Sequence, residues 1–226
     1  MTVRESLVRL RRAFAVYAAA SVALVALVGA LVAEVFAARD VPEGGVVESL
    51  QAVILLCAAV SWFFEAAAAK KDGAGPEKAF LLVGFATLAM FVRELDRFFD
   101  VALWHGAWAA VDAVVIAACF AALGRQWRRS VSDVASFAGS PRGWMVFSAV
   151  FSAVVFSQAL GWKGVWHSVF DNELWLQVKD RIEVYDQDLE RHVKNVVEES
   201  LELFSYAMLL ASAAVPRALA GKRRKD

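Results

Sequence analysis

The chain has 226 residues, of which 59% are apolar and 21% are charged, and its formal net charge is zero. Soluble domains are usually about 45–50% apolar, so the composition predicts an integral membrane protein. The balanced charge gives no basic surface of the kind that nucleic-acid binding requires. Cys57 and Cys119 both lie in apolar runs, where cysteine behaves as a small hydrophobic residue, and they predict neither a disulfide nor a metal pair.

Six segments are long and apolar enough to cross a membrane, which takes about 20 residues per helix. They are approximately 13–38, 46–69, 79–103, 107–124, 143–161 and 194–215. The first has an apolar run of about 25 residues, whereas a signal peptide has about 7–15, so we expect it to remain as a span. The sequence therefore predicts an all-α six-helix bundle, with residues 1–226 forming a single transmembrane domain.

Charged residues are distributed unevenly between the two ends of these spans. About two-thirds of the Lys and Arg residues fall on the side of the two termini, which the positive-inside rule places in the cytoplasm. Most acidic residues fall on the opposite side and predict an acidic outer vestibule. Because the Ala-, Val- and Arg-rich composition agrees with a bacterial source, the predicted location is the bacterial inner membrane.

The longest connection, between the fifth and sixth spans, has the pattern of an amphipathic helix. Leu174, Val178, Ile182, Tyr185 and Leu189 recur at steps of three and four residues. This spacing predicts an outer-surface helix at approximately 173–191. The helix either lies on the lipid headgroups or covers the vestibule.

The sixth span carries a polar stripe. His192, Asn195, Glu199, Glu202 and Tyr206 follow steps of three and four residues, and they fall within an arc of roughly 80°. Glu198 lies at the edge of the stripe, and Glu202 is close to mid-membrane. Because a central charge costs about 2.5–3.5 kcal/mol in lipid, we expect these side chains to face a protein interior or a water-filled cavity.

Other spans supply polar residues that could be partners for this stripe. The third span contributes Glu94, Asp96 and Asp100, with Arg93 and Arg97 as candidate counter-ions. The second and fourth spans add Glu48, Gln51 and Asp112. The spacing of Arg93 to Asp96 and of Arg97 to Asp100 also fits a salt-bridged girdle at the outer interface. Two arginines cannot neutralise all of these carboxylates, so protons or bound cations are expected partners.

The sequence identifies no cofactor, but a divalent metal is a candidate. Its ligands would be Glu199, Glu202 and His192. Such oxygen-rich ligation with one imidazole suits Mg, Ca or Mn more than Cu, and Zn is a further alternative. The Glu-x-x-His motif of carboxylate-bridged metal bundles is absent from the sequence.

The stripe favours proton or cation binding at an outward-open site, in transport or its coupling. The sequence shows no inverted repeat and no visibly broken helix, and this counts against a transporter. A second hypothesis is an enzyme acting at the outer leaflet, with Glu199 or Glu202 as the catalytic general base and His192 as a base or ligand. A third is an accessory or structural subunit that docks to another membrane protein, or to a second copy, through the surface helix.

Overall fold

The structure, a computed structural model, describes Gly29 and residues 45–73, 75–170 and 189–214. The side chains of Lys163, His167, Val169, Phe170 and residues 189–193 are outside this description. The secondary structure of the described ranges is helical throughout and contains no β-strand. The all-α prediction is therefore confirmed for this part of the chain.

The helices follow one another through short connections. They are α1 (Val46–Asp72), α2 (Glu77–Glu94), α3 (Asp96–Ala102), α4 (Ala107–Gly124), α5 (Trp127–Ala138), α6 (Pro141–Gly161), α7 (Lys163–Phe170) and α8 (Leu189–Ala214). Within α6, residues Ser152–Phe156 form a π-helical turn. Gly73 and Gly106 have positive φ angles of 60° and 82° and provide the left-handed conformation needed at the end of α1 and the start of α4.

Three of the helices, α1, α4 and α6, are long and apolar enough to cross a membrane. They match the predicted spans 46–69, 107–124 and 143–161 closely, and they agree with a membrane location. Helix α8 covers most of the predicted span 194–215 and begins at Leu189, so the surface segment runs into the span without interruption there. The predicted span 13–38, apart from Gly29, and residues 173–188 of the predicted surface helix lie outside the described residues.

The prediction of one continuous helix over 79–103 is wrong, because the helix breaks at Leu95. This residue has φ −97° and ψ 13°, between α2 and the short helix α3. The break involves neither proline nor glycine. The N–H of Arg97, which a continuous helix would direct to the Arg93 carbonyl, donates instead to the side-chain carboxylate of Asp96. A short acidic side chain can compete for backbone groups in this way.

Helix α1 forms the centre of the bundle and packs against α2 and α8. Leu55, Ala58 and Trp62 are completely buried, and Leu209 of α8 is buried against the same core. Small residues along α1 allow the neighbouring helices to approach closely, as is common in membrane bundles. Helix α4 packs mainly against α2 and exposes most of its apolar surface, including Phe120.

Helix α5 lies in the connection between the predicted fourth and fifth spans, where the sequence analysis predicted no helix. It is amphipathic, with Phe137 buried against the rings of Trp62 and Phe80 at centroid distances of 5.8 and 5.6 Å. Asp133 accepts a hydrogen bond from the backbone N–H of Lys78 at 2.9 Å and so caps the start of α2. These contacts hold α5 across the end of the bundle that carries the predicted inner connections.

Arg142 joins three helices at this same end. Its side chain is buried and donates to the backbone carbonyls of Ser212 and Ala213 in α8 at 2.9 and 3.2 Å. It also donates to Glu65 of α1 at 3.1 Å, and its guanidinium lies 5.0 Å from the centre of the Trp62 ring. The last carbonyls of a helix favour a cation, so Arg142 ties the end of α8 to α1 and α6.

Candidate functional site

Glu202 is buried at the contact between α8 and α6. Its Oε1 accepts a hydrogen bond of 2.8 Å from the hydroxyl of Ser157, which is completely buried. The guanidinium of Arg93 lies 3.9 Å from the same oxygen and is about half exposed. Arg93 therefore approaches Glu202 with its positive charge, at the outer limit of ion-pair distance.

Glu199 is held by Gln51 of α1. The Gln51 Nε2 donates to the Glu199 side-chain Oε2 at 2.8 Å and to the Glu199 backbone carbonyl at 3.1 Å. Both amide protons are thus used on one residue of α8. Gln51 is completely buried, and its Oε1 has no hydrogen-bond partner among the described residues.

Glu94 is the last residue of α2 and contacts the same face of α8. Its Oε1 accepts a hydrogen bond of 2.8 Å from the Tyr206 hydroxyl, and Tyr206 is 2% exposed. The carboxylates of Glu202 and Glu199 are close enough to Glu94 to repel its negative charge. Glu94, Glu199 and Glu202, named here the carboxylate cluster, therefore belong to one site.

An open cleft of about 350 Å³ adjoins the carboxylate cluster at the predicted outer end of α1. It is lined by Glu48, Ser49, Ala52, Glu94, Leu95, Arg97, Phe98 and Val101. Glu94 belongs to both the cleft and the cluster, and the Glu48 charge also acts on Glu199 and Glu202. The cleft thus gives one side of the cluster a route to the predicted outer surface.

Two helix irregularities lie beside the cluster. The break at Leu95 directly follows Glu94, and the π-helical turn of α6 directly precedes Ser157. Irregular backbone inside membrane helices is often found where a cavity or ion site must be lined. The sequence showed no broken helix, and this counted against a transporter. The break at Leu95 removes that objection.

Other predicted site residues lie at the edges of this arrangement. Glu198 pairs with Lys194 at 2.8 Å, and Lys194 also contacts Asn195 at 3.3 Å. Arg97 is exposed and lines the cleft. The side chain of His192 is outside the described residues, so the stripe is placed only from Asn195 onward.

Three predicted carboxylates are not brought into the cluster. Asp96 is exposed and bonds to the Arg97 backbone. Asp100 contacts His105 at 2.6 Å and the N–H of Gly106 at 2.8 Å, so it caps the turn before α4 instead of pairing with Arg97. No hydrogen bond or ion pair is described for Asp112, and its Oδ1 is buried.

Among the described side chains, no group of three or more His, Cys, Asp and Glu residues is arranged to hold a metal ion. Of the three predicted divalent-metal ligands, Glu199 and Glu202 are described and His192 is not. The cluster offers carboxylate oxygens, with the neutral donors Gln51, Ser157 and Tyr206 hydrogen-bonded to them and Arg93 3.9 Å from Glu202. This arrangement suits proton binding or an oxygen-coordinated cation.

Sequence reasoning did not identify Ser157 as a member of the site. Serine is common in membrane helices. Ser157 and its neighbours Gln158 and Gly161 do not form a helical stripe of polar residues that would have singled out Ser157. Gly161 also escaped notice, although a Cβ there would lie 2.7 Å from the Glu198 Oε1. Only the packing of α6 on α8 shows why small residues occur at these two positions.

No family model matches the sequence, and no curated protein or solved structure is significantly similar to it. The candidate site therefore has to be interpreted from its own geometry.

Proposed function

We propose that this protein binds protons or cations at an outward-open, intramembrane carboxylate site, as part of transport or its coupling. In this proposal the chain forms a six-span bundle in a bacterial inner membrane, with both termini in the cytoplasm. The bilayer and the bound proton or cation are its expected partners.

The supporting observation is that the carboxylate cluster contains more carboxylates than the cationic side chains described beside it. Arg93 approaches Glu202, whereas the described partners of Glu94 and Glu199 are the neutral donors Tyr206 and Gln51. Ionised carboxylates are costly in a membrane interior unless they are paired. Binding a proton or a cation would remove that cost.

The cleft supports access from the predicted outer side, because Glu94 lies in its wall. The break at Leu95 also places the carboxyl-terminal end of α2 beside the cluster. A helix carboxyl end carries partial negative charge and favours a cation. Discontinuous helices with such ends line ion sites in many secondary transporters.

The test is proton flux into liposomes that contain the purified protein, driven by a pH gradient and followed with an entrapped pH-sensitive dye. We expect Glu199→Gln and Glu202→Gln each to lower the flux by about tenfold, the size of effect that follows when a charged partner is lost. The matched control is Asp72→Asn, an exposed acidic residue at the opposite end of α1, which should leave the flux unchanged.

Cation gradients imposed at constant pH provide the second arm of this experiment. If the wild-type protein carries neither protons nor cations, and shows no proton uptake in a pH-jump titration, the proposal fails. The enzyme and accessory-subunit hypotheses would then be the ones to pursue.

A further inference from the structure

The π-helical turn of α6 sets the orientation of the last residues of that helix. The backbone N–H of Ser157 donates to the carbonyl of Ser152, five residues earlier, whereas an α-helix would use the residue four earlier. Such a turn holds one residue more than an α-helical turn, and π-helical turns frequently lie at functional sites. The residues beyond it are therefore rotated by about 100° relative to a regular α6.

This rotation decides which side chain of α6 meets Glu202. The Ser157 hydroxyl donates to the Glu202 carboxylate at 2.8 Å and is completely buried, whereas Phe156 is 52% exposed. If the turn were α-helical, the position of each residue beyond it would be taken by the residue before. Phe156 would then stand where Ser157 does, and Glu202 would face an aromatic ring instead of a hydroxyl.

Only a short piece of helix has to rotate for this exchange. Helix α6 ends at Gly161, and Trp162 is extended, with φ −74° and ψ 120°. Gly161 lies against Glu198, because a Cβ there would be 2.7 Å from the Glu198 Oε1. Leu160 would take the place of Gly161, and the Glu198 side chain would have to move aside. Glu198 is a flexible side chain that pairs with Lys194 on its own helix.

We propose that α6 switches between these two registers and that the protonation of Glu202 selects between them. The inference rests on the proposed function and supplies its moving part. In the π register, Ser157 donates to ionised Glu202. In the α register, Phe156 replaces that donor, and an apolar contact is far less costly for a protonated carboxyl than for a charged one.

Protonation can shift the two registers only if they bind the proton with different affinity. The Ser157 donor supplies this difference, because it is present in one register and absent in the other. The remaining charged groups around Glu202 belong to α1, α2 and α8, so they stay in place when α6 rotates. These groups are Glu48, Arg93, Glu94, Glu198 and Glu199.

Deletion of Val155 tests the switch. Val155 is exposed within the π-helical turn, and its removal leaves a regular α-helix in which Ser157 still meets Glu202. The deletion should preserve proton uptake in a pH-jump titration and abolish proton flux into liposomes, because α6 is then held in one register. The matched control, Val155→Ala, keeps the length of the helix and should keep the flux.

Phe156→Ser tests the second register without changing the length of α6. A hydroxyl at this position would donate to Glu202 in the α register, so the two registers would no longer distinguish its charge. We expect the flux to fall by about tenfold, the size of effect that one buried hydrogen bond supplies. Val154→Ser, at a position of the same turn that is 50% exposed, should leave the flux unchanged.

The inference is overturned if the Val155 deletion carries protons as fast as the wild type, or if it folds but no longer takes up protons. If the deletion fails to fold, the two serine variants decide, and equal flux in Phe156→Ser and Val154→Ser contradicts the switch. Wild-type flux alongside any of these results leaves the proposed function standing. A wild type with neither flux nor proton uptake removes both.

Discussion

Individual polar side chains connect the helices at both ends of the described bundle. At one end Gln51, Ser157 and Tyr206 each reach from one helix to a carboxylate of another. At the other end Arg142 reaches Glu65 and the final carbonyls of α8. Such contacts are costly to remove where the partner that loses its donor is buried, as Glu202 and the Ser212 carbonyl are.

Arg142→Met should therefore lower the free energy of unfolding by about 1–3 kcal/mol, the cost of leaving buried acceptors without their donor. The carbonyls of Ser212 and Ala213, which lose their buried donor, account for most of the loss. Denaturant titration in detergent micelles measures it. Arg128→Met, at an exposed position of α5, should change stability by less than about 0.5 kcal/mol. Equal effects of the two substitutions would contradict the role assigned to Arg142.

The polar stripe on α8 was accessible from the sequence because helical spacing alone places Glu199, Glu202 and Tyr206 on one face. Their partners were harder to predict. Gln51 was named because it is polar within an apolar run, but the contact of its amide with Glu199 depends on how α1 crosses α8. Nothing in the sequence indicated that Ser157 contacts Glu202. Asp112 lies outside the carboxylate cluster, since depth along a helix does not determine which neighbour a side chain faces.

At the level of helices, apolar length predicted α1, α4 and α6 within a few residues. The sequence did not predict the break at Leu95, because Arg-Glu-Leu-Asp-Arg contains neither proline nor glycine. The Asp96 carboxylate accepts the Arg97 N–H and so replaces a backbone hydrogen bond of the helix, and this contact is visible only in the structure. Helix α5 was missed because its many charged and polar residues were interpreted as a connection. The apolar face of α5 is explained only by the structure, in which Phe137 packs against the rings of Trp62 and Phe80.

The turn between α5 and α6 depends on the absence of a side chain at Gly143. Ser140 caps α6 by accepting from the N–H of Gly143 at 3.0 Å, and a Cβ at residue 143 would lie 2.0 Å from the Phe137 carbonyl oxygen. Gly143→Ala should force the two helices apart and destabilise the protein by about 1–3 kcal/mol. Thermal unfolding followed by circular dichroism measures this loss.

Gly124 provides the matched control for that substitution. It lies at the end of α4, and no neighbouring helix or side chain of the described residues would lie within 4 Å of a Cβ there. Gly124→Ala should leave stability unchanged or raise it by up to about 1 kcal/mol, because alanine is the better helix former. A destabilised Gly124→Ala protein would show that alanine is harmful for reasons other than the close approach at Gly143.

At the level of the whole molecule, the two ends of the bundle differ in chemistry. One end carries the acidic cleft and the turn containing His105, and the other carries Lys70, Lys71 and the basic residues of α5. The distribution of Lys and Arg predicts that the second end faces the cytoplasm.

Cysteine labelling tests this orientation in a background of Cys57→Ser and Cys119→Ser. In intact cells, Trp104→Cys should react with a membrane-impermeant maleimide, because Trp104 lies in the exposed turn before α4 at the predicted outer end. Asp72→Cys, at the opposite end of α1, should react only after the membrane is opened. The reverse pattern would invert the proposed topology and with it the side from which ions enter.

The position of Arg142 also has a consequence for biogenesis. A ribosome makes Glu65 and Arg142 long before it makes Ser212 and Ala213, whose carbonyls complete the environment of the arginine. Until α8 arrives, a charged side chain placed among apolar helices has only part of its final coordination. The described part of the chain is therefore expected to acquire its stable packing late, when α8 docks against α1 and α6, because only then are all the described contacts of the Arg142 side chain in place.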